Sequence, residues 1–276
     1  MEIIRDNIEE FYITVRLIIK RYFLIFKFTS TIFIIFIVVF LFVGRLNKEP
    51  KKERTYYKYN DNFYKLIKNK ILFPYAMTKE KVVTLTFDDG PSTKYRPLIL
   101  KILKKEKIKA TFFDLGWKLE ENPVLAQRTI KEGHEIANHT YSHRTLTKLS
   151  FIKKKLELRM TQKAIFNVTG EQNHLFRPPG GIYDAETTTV AKNLGLITVL
   201  WTTDPSDYHS DNPVLSPSPE FIKLKVNYTI FPGGIILLHD GTDKTIEVLP
   251  GIIQNLKKLG YKFVKVSELI ELDSKK

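Results

Sequence analysis

Two adjacent carboxylates, Asp88 and Asp89, stand where an apolar run over residues 82–87 gives way to Gly90-Pro91. Adjacent like charges repel, and a bound cation relieves the repulsion. Adjacent strand residues point to opposite sides, so the pair shares a focus only where the turn re-aims one of them. His139 and His143, four apart, share one face of a helical turn and can bind one metal. Thr140 stands where a His-Glu-x-x-His motif carries its glutamate, so a general base has to come from elsewhere, and Asp88 or Asp89 is the obvious supplier. Arg177 precedes Pro178-Pro179-Gly180-Gly181. It is a permanent cation able to hold a carboxylate, in a loop whose glycines let a ligand approach the backbone closely. Trp201, Asp204, Asp207 and Tyr208 make a fourth cluster, and His239-Asp240-Gly241 ends a fifth apolar run. Each cluster alone fits an ordinary turn or loop. Five of them at the ends of apolar runs point to a metal-binding site assisted by a carboxylate base.

The elements that must position these residues are short apolar runs alternating with longer amphipathic stretches. Strands are predicted over residues 82–87, 109–113, 135–137, 175–177, 197–201, 235–238 and 262–265. Helical stretches are predicted over 95–106, 123–132, 150–168, 185–194, 218–228, 245–259 and 267–272. Alternation of this kind predicts an α/β fold with a parallel sheet or barrel, and such folds place their sites at the carboxyl ends of the strands. The polar clusters fall at those ends.

Residues 28–44 carry no charge and are mostly Ile, Phe and Val, and Phe23 to Phe26 extend the run if Lys27 reaches the interface. A helix apolar on every face beside Lys/Arg clusters fits lipid, and no Ala-x-Ala-like cleavage site follows it. The expected organisation is a segment over 1–22, a transmembrane signal anchor over 23–44, a tether over 45–80 and a catalytic domain over 81–276. Charge flanks the span on both sides, so orientation has to come from function. The 276 residues carry a net charge of +14, from 44 Lys+Arg against 30 Asp+Glu, which favours anionic surroundings. No compact basic stripe interleaved with aromatics points to nucleic acid. The absence of cysteine excludes disulfides, zinc-thiolate sites and thiol nucleophiles.

From residue 81 on, the chain resembles the polysaccharide deacetylases with a NodB-homology domain, carbohydrate esterase family 4. Thr86-Phe87-Asp88-Asp89-Gly90, His139-x-x-x-His143, Arg177-Pro178-Pro179-x-Gly181, Asp204-x-x-Asp207 with a following aromatic, and Leu238-His239-Asp240 appear in the family's order. The resemblance implies a distorted (β/α) barrel of about seven strands and removal of acetyl groups from sugars. It implies that Asp89, His139 and His143 hold one divalent metal, zinc first, with cobalt, manganese or iron as alternatives. It makes Asp88 the general base, paired with Arg177, and His239 the acid, held by Asp207. It places Gly180 at the oxyanion and Leu238, Trp201 and Tyr208 around the substrate. Gly180 and Tyr208 depart from the aromatic and the tryptophan common at those places in the family, which bears on substrate fit. The implied substrate is an acetylated envelope glycan, most simply N-acetylglucosamine of peptidoglycan, with the span in the cell membrane and the catalytic domain outside. Chitin oligomers, an exported polysaccharide, or a catalytically inactive glycan-binding protein are the alternatives. The oligomeric state is not legible.

Overall fold

The computed structural model describes residues 71–208 and 217–274. The expected segment over 1–22, the span over 23–44, most of the tether, and the loop with His209 lie outside the described residues. Among the described residues no helix is long and apolar enough to cross a membrane.

The elements follow the predicted alternation: β1 (Leu72–Phe73), β2 (Val82–Gly90), α1 (Arg96–Glu106), β3 (Thr111–Asp114), α2 (Gly116–Glu121), α3 (Pro123–Lys131), β4 (Glu135–Asn138), α4 (Phe151–Thr169), β5 (Leu175–Phe176), α5 (Ala185–Asn193), β6 (Ile197–Val199), α6 (Pro219–Thr229), β7 (Gly234–His239), α7 (Asp243–Lys258), β8 (Lys262–Phe263) and α8 (Val266–Ser274). Seven strands pair in the order β1-β6-β5-β4-β3-β2-β7, and β8 pairs with β2 off this path. Every pairing is parallel. Parallel pairing forces a crossover after each strand, and the helices supply it. The expected distorted barrel is a curled parallel sheet. Thr203, just past β6, forms an isolated parallel bridge to Ile236 of β7.

Helix starts carry the local signals expected of them. Asp184, Ser218 and Thr242 accept hydrogen bonds from the backbone N–H three residues on and cap α5, α6 and α7. Gly170 ends α4 at φ 73°, a conformation that costs glycine nothing.

Two apolar layers hold the sheet. On β2, Val83, Leu85 and Phe87 face outward and pack with Phe112, Ile236 and Leu238 beneath α1, α6 and α7. The alternate residues Thr84, Thr86 and Asp88 are buried too and are polar. An inner cluster joins Phe73, Val82, Phe113, Ala137, Leu175, Val199 and Ile235 to Val266, Leu269 and Ile270 of α8. Val266 N–H donates to Thr111 Oγ1 and Ser267 N–H to Glu135 Oε2, at the first residues of β3 and β4. The terminal helix thus packs at the amino ends of the strands, away from the ends that carry the polar clusters.

The sheet begins earlier than the expected boundary at residue 81. Leu72 and Phe73 are fully buried and register with Thr198 and Val199 of β6. Removing two such side chains forfeits about 3–6 kcal/mol of burial. A fragment over 81–276 is therefore expected to unfold in urea at a clearly lower midpoint than one over 51–276. Equal midpoints would show that β1 contributes nothing to the domain.

Candidate functional site

The site starts from the last three residues of β2. Asp88 is still in strand register, opposite His239 of β7 and Phe113 of β3, and the register to β3 shifts between Asp88 and Gly90. Asp89 sits at φ 70°, in the left-handed region. That backbone break re-aims Asp89, so two adjacent carboxylates face one centre instead of opposite sides. Asp89 Oδ1 lies 3.4 Å from His139 Nε2 and 3.1 Å from His143 Nε2, and Asp88 Oδ2 lies 3.7 Å from His139 Nε2.

The two histidines come together by a different route from the one their spacing suggests. Residues 139–143 are a loop, not a helical turn, with Thr140 at φ 69° and His143 at φ 59°. Left-handed backbone at a β-branched residue costs about 1–3 kcal/mol and persists only where neighbours over-determine it. Here they do. Thr140 N–H donates to Asn138 Oδ1 and His143 N–H to Thr140 Oγ1. Glu157 of α4 accepts from the N–H groups of Tyr141 and Ser142 and from the Ser142 hydroxyl. His139 Nδ1 lies 2.9 Å from the carbonyl oxygen of Arg177, which can only accept. The Nδ1–H tautomer follows, and Nε2 presents its lone pair to the centre.

These residues fit a metal ion. One ligand atom from each of Asp89, His139 and His143 lies within 4.8 Å of the others. Asp89 Oδ1 is buried without a hydrogen-bond partner among the described residues, although two ring nitrogens face it. Burial pushes the Asp89 carboxyl up, but the two imidazoles outweigh it and hold the group below the usual carboxylate range. An anionic oxygen with two imidazole nitrogens suits zinc and its neighbours among divalent metals.

Each of the other charged groups is held by its own partner. Arg177 is fully buried, with its guanidinium 4.0 Å over the Phe113 ring. It donates to Asp88 Oδ1 at 2.7 Å, to Thr86 Oγ1 and to the Leu200 carbonyl. Asp207 is fully buried; Oδ1 meets His239 Nδ1 at 2.8 Å, and Oδ2 accepts from His239 N–H and the Thr245 hydroxyl. Burial works against a charged His239. The hydrogen bond and charge of Asp207, with Asp88 and Asp89 farther off, outweigh it and raise the imidazole to about 9.

Gly180 adopts φ 60°, so its type is set by backbone conformation, and Gly181 leaves room for the Trp201 ring, which an added Cβ would meet at 2.6 Å. Tyr208 is half exposed, its ring centroid 5.4 Å from that of His239. Leu238 is the one expected pocket residue that the structure places elsewhere. It is fully buried in the outer layer with Val83, Leu85 and Phe87. Strand alternation puts its neighbour Leu237 on the inner face with His239.

A second buried arginine carries no signal in the sequence. Arg96 of α1 donates to Asp240 Oδ2 at 2.7 Å, to Asp114 Oδ1 at 2.5 Å and to Thr129 Oγ1, with its guanidinium 3.9 Å over Phe112. Burial raises the Asp114 carboxyl to about 6 against the pull of Arg96. A Cβ on Gly90 would lie 2.2 Å from Arg96 Nη2 and 2.3 Å from Asp240 Oδ2. Asp240 N–H donates to the Asp88 carbonyl. This network therefore underlies the turn that re-aims Asp89. His134, given no role by the sequence, is buried and accepts from Ala110 N–H.

A family model described as polysaccharide deacetylase matches residues 76–199. A peptidoglycan-N-acetylglucosamine deacetylase of Bacillus cereus is 39% identical over 196 residues, covering 69% of this chain and 89% of that protein. The peptidoglycan-N-acetylmuramic acid deacetylase PdaA of Bacillus subtilis is 33% identical over 206 residues, covering 74% of this chain and 77% of that protein. Among solved structures, a family 4 pseudoenzyme from Bacillus anthracis superposes with a TM-score of 0.66 at 32% identity, over 72% of this chain and 68% of that one.

The raised pKa gives a direct test of the Asp207–His239 pair. His239 is protonated below its folded value of about 9, so the stability this adds is present below the ordinary histidine value and is lost as pH rises through 9. An NMR titration should place the wild-type imidazole midpoint near 9 and move it below 7 in Asp207→Asn. An unchanged midpoint in the variant would show that Asp207 does not set it.

Proposed function

Because the chain belongs to the polysaccharide deacetylase family, we propose that it hydrolyses N-acetyl groups of a cell-envelope polysaccharide, with N-acetylglucosamine of peptidoglycan as substrate and acetate as product. The observation that carries this reading is Asp89 Oδ1, buried, unbonded and faced by two imidazole nitrogens. Beside it, register partners on adjacent strands present a separately held carboxylate, Asp88, and a separately held imidazole, His239.

A divalent cation held by Asp89, His139 and His143, zinc first, would supply Lewis acidity, acidifying its water and polarising the acetyl carbonyl. Asp88 takes the proton of the attacking water. Its Oδ1 is fixed by Arg177, which leaves Oδ2 toward the centre. The backbone N–H of Gly180 donates to the oxyanion as the carbonyl carbon becomes tetrahedral. His239 protonates the departing amine as the C–N bond breaks, and acetate and a free glucosamine amine result. Asp207 on Nδ1 leaves Nε2 to carry the transferable proton. Leu237, Trp201 and Tyr208 wall the acetyl and sugar sites. The apolar run over 23–44 serves as a single-pass anchor, with residues 1–22 cytoplasmic and the catalytic domain outside the membrane, where the glycan is.

The test is acetate release by the purified chain from peptidoglycan and from N-acetylglucosamine oligomers, with zinc or cobalt and with a chelator. Chelator-sensitive release from peptidoglycan, leaving free amines on glucosamine, is the expected result. Free amines on muramic acid would move the substrate to the one named for the Bacillus subtilis relative. Release from oligomers alone would move it to a chitin-type glycan. No release with metal bound would leave a catalytically inactive glycan-binding protein on the same fold.

A further inference from the structure

α4 carries apolar side chains on two faces. Leu158, Ala164, Ile165 and Val168 are buried in the core, whereas Phe151, Ile152, Leu156, Met160 and Phe166 are exposed, Ile152 at 71%. At helical spacing Ile152, Leu156 and Met160 form one row along the outer face. Lys155, Arg159 and Lys163 form a second exposed row beside it. None of these three cations has an ion-pair partner among the described residues. Glu157 is turned the other way, bound to the metal-site loop.

The two rows together select a partner. Cations alone would suit any polyanion, including an anionic wall polymer, but the apolar row gains nothing there and needs an apolar phase. A second copy of this chain offers an apolar face and brings like charge against like charge. A bilayer with anionic headgroups satisfies both rows: apolar side chains enter the acyl boundary, and the lysine and arginine heads stay among the phosphates.

We propose that the outer face of α4 docks on the surface of an anionic bilayer. The proposal rests on the membrane attachment proposed above only for bringing lipid within reach. Residues 45–70 can reach at most ~90 Å, an upper bound on the distance between a span at 23–44 and the domain. Docking also has a consequence for the site, because Glu157 of the same helix holds the loop of His139 and His143. A docked α4 therefore keeps the centre close to the bilayer, which restricts the substrate to membrane-proximal glycan.

The chain lacks cysteine, so a single Leu156→Cys can carry a polarity-sensitive fluorophore, with Lys101→Cys on α1 as the control. The full chain is reconstituted into vesicles of phosphatidylcholine alone or with phosphatidylglycerol, and quenching by iodide is measured. Protection at position 156 on the anionic vesicles only, lost in Lys155→Gln/Arg159→Gln/Lys163→Gln while position 101 stays open throughout, is the expected result. Equal quenching at 156 in both lipids overturns the proposal. Protection without lipid overturns it as well, because another part of this chain or a second copy then covers α4. Flotation reads the anchor separately. A chain that floats with both vesicle types yet stays open at 156 keeps the anchor and loses the docking, and one that floats with neither loses both.

Discussion

Two carboxylates on adjacent residues can serve one centre only where the backbone between them breaks the alternation of a strand. That is the constraint on which the site depends. A regular β2 would aim Asp88 inward and Asp89 outward, separating the two carboxylates by the thickness of the sheet. The left-handed Asp89 and the register shift before Gly90 bring both to the same side. Like charges so placed repel, and the structure answers each in a different way. Asp88 is paired with Arg177, and Asp89 is faced by two imidazoles. The difference in partners gives two identical side chains two electrostatic environments.

Two buried arginines stabilise this turn from opposite sides of the sheet. Phe112 and Phe113 are adjacent on β3 and point to opposite faces. Arg177 stacks over Phe113 on the inner face and Arg96 over Phe112 on the outer one. The inner arginine fixes the carboxylate of Asp88. The outer one, with Asp114 and Asp240, ties the ends of β2, β3 and β7 together. Removing one partner of a buried pair leaves an uncompensated charge and typically costs about 3–5 kcal/mol. Stability and site geometry are therefore coupled at the ends of these strands.

Much of this was legible because polar residues interrupt apolar runs at the strand ends, and that contrast survives without coordinates. What escaped has identifiable causes. β1 is two residues long in a Lys- and Tyr-rich stretch, and two residues have no periodicity. The side Leu238 takes is hidden because β7 is buried on both faces, so Ile235 to Leu238 reads as a continuous apolar run and only counting back from His239 reveals which side each residue takes. The histidine loop resembles a helical turn in spacing, and nothing in the sequence announces a left-handed Thr140. Arg96 lies in an amphipathic helix where an arginine ordinarily faces water. Its role appears only once the helix places it under Gly90.

The proposed division of labour gives Asp89 to the metal and Asp88 to the attacking water, and calorimetric zinc titration of the apo chain separates the two. Asp88→Asn should bind one zinc with near-native affinity, because the ligand oxygen and both imidazoles remain. Asp89→Asn should lose affinity by at least about tenfold, as removal of an anionic ligand requires. Equal loss in both variants, or loss in Asp88→Asn alone, would contradict the assignment and with it the account of the turn.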